Sequence, residues 1–531
     1  MTVRSLAEDG SGPVSIDARV CVVGAGIAGL LLGLRLARKG HRVVVLESGG
    51  RVPEAGIDDL NRLEEAVPRY QMALSGRARG LGGSSSRWGG RMLPLAAHDF
   101  AARPYLSLAG WPIGPAELDP YRAEIEALFG VDPESYEEEL LGRVDRAGLF
   151  PRRDPEFAPR WPKWSSFRRC NLAILLKREL ESNASLEIWL AATAAGFELE
   201  PSGRLRAILA RDLRGRRLRA AAEEFVLAAG TIETTRLLLW LRDSTGGQVL
   251  SGCEALGRGF QDHLSTVVGR LRPERTDTTN RLFGFHFIGQ TRRNLHLELT
   301  ASAQAEHRVA SGFAQIAIEP PANSALDIVK NLLRGLQQKR IDLSARDVGR
   351  LAANGGVLGR MATWRYARKQ LFLPPGTDLL VSLVAEQLPK AGNAITLSAR
   401  KDAVGVPVAR LDWTTSDGDE RTFRVLAGSV DRYWRRARFD RICPIAWRPG
   451  VLEGEVALAA EASDIAHPSG SARMGTDRAA SVVDPELRCH DVPNLTVASA
   501  AVFPSAGSAN PTFTIMQLAL RGADAISRRL H

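Results

Sequence analysis

Two rhythms of apolar and polar residues run along this chain of 531 residues. From Ala18 to Glu47 (ARVCVVGAGIAGLLLGLRLARKGHRVVVLE) the pattern predicts a strand (Arg19 to Val23), a glycine turn, an amphipathic helix and a second strand (Arg42 to Leu46) ending on an acid. It then predicts an acidic helix over Gly114 to Phe129, a helix over Arg168 to Glu181 with a strand over Leu186 to Leu190, and two antiparallel strands across Gly196 to Leu213. The strand–turn–helix order repeats at Glu223 to Leu241, with a strand Phe225 to Ala228, a turn at Gly230 and a helix from about Glu233.

Between 266 and 454 the rhythm changes. Strand-like stretches (Arg281 to Ile288, Leu295 to Ala301, Gly312 to Ile318, Leu379 to Glu386, Ala394 to Leu397) alternate with helical ones (Ser324 to Gln370, Thr422 to Arg438). The strand–turn–helix rhythm of the first unit returns after Val456. These shifts predict an α/β fold with a Rossmann-type dinucleotide-binding domain built from both chain ends, 16–265 and 455–531. An α+β substrate domain over 266–454, mostly antiparallel sheet plus helices, is inserted between them.

The glycines of the first unit carry its chemistry. Gly24 permits the tight turn, Gly26 lets backbone approach a pyrophosphate, and Gly29 lets the helix pack on the strand. Ala28 lies in the same turn. Phosphates would meet the unpaired N–H groups of the helix start. Glu47, followed by Ser48, is spaced to accept hydrogen bonds from an adenosine ribose.

Composition excludes several other classes. The chain is 44% hydrophobic and 24% charged, ordinary for a globular α/β protein. Its net charge is +10, yet only eight of its 70 basic residues are lysines and the arginines form no tail, so no nucleic-acid partner is expected. Five scattered cysteines without a CxxC pair predict neither a disulfide framework nor a metal site. Residues 1–17 lack the apolar core of a signal peptide, and no apolar run approaches the ~18 residues of a membrane span, so the expectation is a cytoplasmic protein without a transmembrane segment.

The C-terminal stretch (HPSGSARMG…NLTVASAAVFPSAGSANPTFTIMQLAL) predicts a strand over Asn494 to Ser499 and an irregular loop over Val502 to Ser508. A long helix follows, capped by Asn510 with Pro511 in its first turn, so that the N–H groups of Thr512 and Phe513 point forward. Taken singly, Asn510 reads as a helix cap and His467 as a structural histidine.

Together these segments resemble the glucose–methanol–choline (GMC) oxidoreductases, flavoenzymes that oxidise alcohols. The resemblance rests on GAGIAG with Glu47, GGSS at Gly82 to Ser85, LAAGTIETTRLLL, LGRGFQDH at Leu256 to His263, HxxGxxxM at His467 to Met474, and VFPSAGSANPT. Trp88-Gly89-Gly90 and the closing segment look most like the bacterial sugar-oxidising, pyranose-oxidase-like branch. The resemblance implies an FAD site formed by Gly24, Gly26, Ala28, Gly29, Glu47, Ser48, Gly82, Gly83, Ser84, Ser85, Trp88, Gly89, Ala194, Ala229, Gly230, Ser499, Ala500, Asn510, Pro511 and Thr512. It also implies His467 as catalytic base and Asn510 as the paired donor: a neutral imidazole takes the hydroxyl proton, and an amide steadies the alkoxide without titrating.

The chain departs from the family in places. Arg87 stands where some members carry a histidine bonded covalently to the flavin, so FAD is expected to be non-covalent, with Arg87 paired to a phosphate or an acid. Ser499 replaces an aspartate near the ribityl chain, and His263 reads as structural. The expected substrate is a sugar, glycoside or polyol, with a non-sugar alcohol, or a non-redox lyase of the same family, as the alternatives. The expected acceptor is dioxygen, a quinone or a redox protein. The sequence leaves open the basic stretch 330–370 and the oligomeric state; Trp364, Tyr366, Trp413, Tyr433 and Trp434 are candidate sugar platforms.

Overall fold

The computed structural model describes the chain except residues 1, 9–11, 53, 66–69, 71–74, 146–147, 152, 323 and 338–342. Its first sheet places Val3–Ser5, Leu186–Leu190, Val43–Leu46, Val14–Val23 and Arg217–Leu227 side by side in parallel. The last of these strands forks. Its first half pairs with an antiparallel hairpin (Leu205–Arg211, Thr193–Leu199), and its second half pairs in parallel with Leu495–Val497. Chain-terminal residues thus complete a sheet begun at the N-terminus. Helices Ile27–Arg38 and Pro511–Leu530 pack together over it.

Glycine fixes the first turn. Gly24 has φ +101°, and a Cβ there would sit 2.7 Å from the Ala228 carbonyl oxygen; one on Gly29 would fall 1.9 Å from that of Gly24. The helix can lie this close to the strand only without those side chains.

The second sheet is antiparallel: Ile445–Trp447, His263–Leu271, Asp378–Glu386, Gly312–Glu319, His296–Leu299 and Phe157–Arg160, with Ser463–Asp464 along His263–Leu271. Helix Asp417–Arg436 covers it with Phe423, Leu426, Val430, Tyr433 and Trp434, spaced to share one face. A four-stranded sheet joins His286–Ile288, Thr291–Arg293, Lys163–Trp164 and Arg91–Met92. Residues before 266 and after 454 therefore enter the sheets of the central region as well.

Several expected elements change shape. The helix expected over Gly114 to Phe129 is two short turns and then Arg122–Phe129, because Pro115 and Pro120 supply no N–H. The helix over Arg168 to Glu181 breaks into three, where Asn171 caps a fresh start by accepting the Ala173 N–H at 3.0 Å. The strand over Arg281 to Ile288 is the end of a helix, Thr276–Phe283, followed by strand His286–Ile288. The basic stretch forms helices Ala325–Gln337, Ala345–Ala353 and Gly355–Thr363; Lys339, Arg340 and Asp342 lie outside the described residues. Among the described residues no helix is long and apolar enough to cross a membrane.

Candidate active site

A crevice of about 1360 Å³, mouth included, crosses the carboxyl ends of the parallel strands. Gly24, Gly26 and Ala28 line one side, and a Cβ on Gly26 would meet nothing within 4 Å, so backbone is open to a ligand there. Glu47, Ser48, Gly83, Ser84, Ser85, Ala194, Ala229, Gly230, Ser499, Ala500, Pro511 and Thr512 line it too.

The Glu47 carboxylate is buried and held by backbone: one oxygen accepts from Ala25 N at 2.8 Å, the other from Gly49 N and Gly80 N at 3.0 and 2.9 Å. Burial pushes its pKa up, against those donors. Three bonds leave acceptor capacity for a hydroxyl.

Five expected cofactor residues, Gly29, Gly82, Trp88, Gly89 and Asn510, are not among those that line the crevice. Gly29 acts in helix packing. Gly82 turns left-handed (φ +93°) against Asn171 and Ala173, and Gly89 backs onto the Trp164 ring. Trp88 donates its indole N–H to the Cys170 carbonyl at 2.8 Å and packs edge-on to Phe129. Arg87 pairs with the Asp58 carboxylate and donates to the Ser75 and Arg77 carbonyls.

The crevice also exposes residues that sequence reasoning missed. Arg77 and Arg79 both line it. Arg79 is tied to Glu233 at 3.0 Å and to Ser48 Oγ at 2.9 Å. Arg77 has a buried Nε without a partner among the described residues, and its pKa falls to about 10 through burial and the like charge of Arg79. They precede the GGSS turn, where adjacent arginines read as surface charge.

His467 lines the crevice, and Asn510, just behind the lining residue Pro511, meets it. Asn510 occupies the cap position of the last helix, but its side chain makes no capping bond there. Its Nδ2 lies 2.8 Å from His467 Nε2. His467 Nδ1 lies 2.8 Å from His263 Nδ1, and His263 Nε2 lies 2.7 Å from the Gly507 carbonyl oxygen.

These contacts fix the protons. A carbonyl only accepts, so His263 carries its hydrogen on Nε2 and leaves a lone pair on Nδ1. His467 must then donate from Nδ1 and present a lone pair at Nε2, toward the Asn510 amide N–H. Burial lowers the pKa of both imidazoles, His467 well below its usual value with His263 and Arg91 adding to the effect, so both are neutral near pH 7. His263, read from sequence as structural, touches the candidate base directly.

Carboxylates anchor this row. Asp262 is fully buried and accepts the N–H groups of His263 (2.7 Å) and His467 (2.9 Å) and the Tyr70 hydroxyl (2.6 Å). Burial and the like charge of Asp464 raise its pKa to about 7. Gly507 donates its N–H to Glu386 at 3.0 Å, and Glu386 takes Arg103 in a two-armed pair at 2.5 and 2.7 Å. Gly507 has φ +60°, and a Cβ would sit 2.5 Å from Leu95.

Among the expected sugar platforms, Trp364, Trp413, Tyr433 and Trp434 are core residues and Tyr366 is 71% exposed.

Residues 389–519 match the family described as GMC oxidoreductase, and residues 22–54 match an NAD(P)-binding Rossmann-like domain. The chain is 26% identical to a 2-methyl-1,2-propanediol dehydrogenase of Mycolicibacterium austroafricanum, over 96% of this chain and 95% of that one. It is 24% identical to a paromamine 6'-oxidase of Streptomyces fradiae, over 96% and 91%. A solved pyridoxine 4-oxidase from Mesorbium loti shares the fold, with a TM-score of 0.58 and 16% identity over 96% of this chain and 99% of that one. The chain is thus similar to the GMC oxidoreductases over its C-terminal part, and it aligns along nearly its whole length with the two enzymes named.

Proposed function

We propose that this protein is an FAD-dependent oxidoreductase that converts a CH–OH group of a sugar, glycoside or polyol to a carbonyl. The observation that carries the reading is His467 in the lining of a dinucleotide crevice with the Asn510 amide 2.8 Å from its Nε2. The residues present suit FAD. Gly26 offers open backbone, Glu47 retains an acceptor position, and the partnerless Nε of Arg77 suits a pyrophosphate. Gly24, Gly83, Ser84, Ser85, Ser499, Ala500, Pro511 and Thr512 would line its length. Arg87, engaged with Asp58, supports non-covalent attachment.

Bound FAD would supply a hydride acceptor. His467 Nε2 takes the hydroxyl proton as the substrate oxygen enters between it and Asn510. The Asn510 amide transfers its N–H from Nε2 to that oxygen, where negative charge grows. Asp262 holds the His467 backbone in place. On this reading 16–265 and 455–531 form most of the flavin side and 266–454 most of the substrate side, to which strands Arg91–Met92, Phe157–Arg160 and Lys163–Trp164 are added.

The test is anaerobic bleaching of the flavin by a panel of sugars, glycosides and simple alcohols. Bleaching by sugars or glycosides supports the reading. Bleaching by short or aryl alcohols alone replaces the substrate class, and an oxidised spectrum with every alcohol overturns the redox role. Acid precipitation should leave FAD in the supernatant.

A further inference from the structure

We propose that the substrate of this site carries an oxyanion, a carboxylate or a phosphate, gripped by Arg91 and Arg292 on either side of Trp164. The inference rests on the oxidoreductase reading above. In the four-stranded sheet Trp164 is registered opposite both Arg91 and Arg292, so the three side chains stand on one face. Phe287, opposite Arg292, extends the row. The guanidinium carbons of Arg91 and Arg292 lie 5.4 and 5.2 Å from the Trp164 ring centre.

Neither arginine has a carboxylate partner among the described residues. Arg91 donates to Gln315 Oε1 at 3.0 Å and touches His296 Nε2 at 3.3 Å. Arg292 makes no side-chain hydrogen bond to a described residue, and its buried Nη2 has no acceptor among them. Burial lowers both pKa values to about 10. Aromatic faces return only part of the hydration a guanidinium loses; an anion would return the rest.

The row leads to the chemistry. Arg91 lies against His296 and Gln315 of the central sheet, and its charge reaches His263 and His467, lowering both imidazoles. Outward, the charge of Arg334 acts on Arg292 and on Lys330. Arg334 and Lys330 belong to helix Ala325–Gln337, which packs on Phe167–Cys170. Arg91, Arg292, Arg334 and Lys330 thus bring four cations to this side of the sheet, with Asp327 and Glu319 acting on Lys330 and Glu386 and Asp99 on His263. Between the arginines, the half-buried Trp164 holds both guanidinium groups against its ring and so sets their separation.

The holoenzyme decides this with matched pairs under anaerobic flavin reduction: methyl glucoside against methyl glucuronide, and glucose against glucose 6-phosphate. The charged member should have the lower KM, by about 10–100-fold, the usual worth of charge-assisted hydrogen bonds. Arg292→Gln and Arg91→Met should each narrow that gap. A second readout needs no turnover. Glucuronate or inorganic phosphate should perturb the flavin spectrum of the parent and fail to do so in Arg292→Gln.

Equal KM values within both pairs, with no anion-dependent perturbation, would overturn the inference and leave the oxidoreductase reading standing. Perturbation lost in Arg292→Gln, with no alcohol reducing the flavin, would keep the anion site and sink the redox reading.

Discussion

The two faces of the four-stranded sheet handle charge in opposite ways. On one face Lys163 and Arg293, both fully buried, are matched: Lys163 to Glu126 at 2.7 Å, Arg293 to Asp132 in a two-armed pair. On the other, Arg91 and Arg292 have rings beside them and no carboxylate among the described residues. Strand geometry, backbone bonding and sequence distance are shared, so the difference lies in what each face meets. A matched buried charge completes the fold, whereas an unmatched one leaves hydrogen-bonding capacity that a ligand can fill. The His263–His467 row is of the matched kind, each nitrogen answered by another group.

The largest effect should come from breaking the matched row. His467→Ala should slow flavin reduction by ~10²–10⁴-fold, the range for a positioned general base. The crevice around Glu47 stays intact, so FAD should bind as in the parent. Stopped-flow reduction with a saturating substrate measures the first effect and flavin fluorescence titration the second. A variant that reduces its flavin at the parental rate would place the base elsewhere.

Across the sheet the same substitution should have opposite outcomes. Arg293→Met leaves Asp132 buried and uncompensated and should destabilise by ~3–5 kcal/mol, as for a broken buried pair. Arg292→Met removes a cation with no carboxylate partner among the described residues and should melt no lower than the parent in substrate-free buffer. Chemical denaturation of both variants checks the contrast, and equal losses would erase the distinction between the faces.

His263 gives a smaller and more specific signal. His263→Ala should cost about 10–100-fold in flavin reduction, comparable to loss of a group that orients another. It should also move the acid limb of the pH–rate profile. In the parent His467 must be neutral, and its depressed pKa keeps the rate flat through pH 6.5 and falling only at more acid pH. Without the neighbouring ring the depression eases, so the limb should shift to higher pH. A slower enzyme with an unmoved limb would make His263 merely structural.

The legibility of these features follows the range of the forces that create them. The glycine turn was readable because Gly24 and Gly29 answer contacts set within a few residues and one neighbouring strand. Helix breaks at Pro115, Pro120 and Asn171 were also local, yet the apolar pattern ran through them and hid them. The strand expected over Arg281 to Ile288 failed for a related reason: a helix end and a short strand share one apolar run. His467 and Asn510 surfaced through motif order. Their partners did not, since His263, Gly507 and Glu386 meet only in the folded chain. Unmatched arginines are the least visible, because 62 arginines in one sequence look alike until their acids are placed.

The smallest effect concerns Asp262, beneath the histidine row. Its pKa rises to about 7 in the fold from 3.8, through burial and the like charge of Asp464, against the pull of Tyr70 and two backbone N–H groups. A group raised on folding holds its proton more tightly in the native state, so its contribution is complete below pH 4 and disappears as pH rises through 7. Asp262→Asn cannot ionise. Its amide oxygen can still accept from His263 and His467, and its nitrogen can donate to the Tyr70 oxygen. The variant should therefore gain on the parent steadily between about pH 4 and pH 8, by a few degrees of melting temperature over the range. Thermal melts at half-unit pH steps would show it. A constant difference between the curves would mean that Asp262 stays charged, matched by its three donors as fully as the carboxylates of the sheet's closed face.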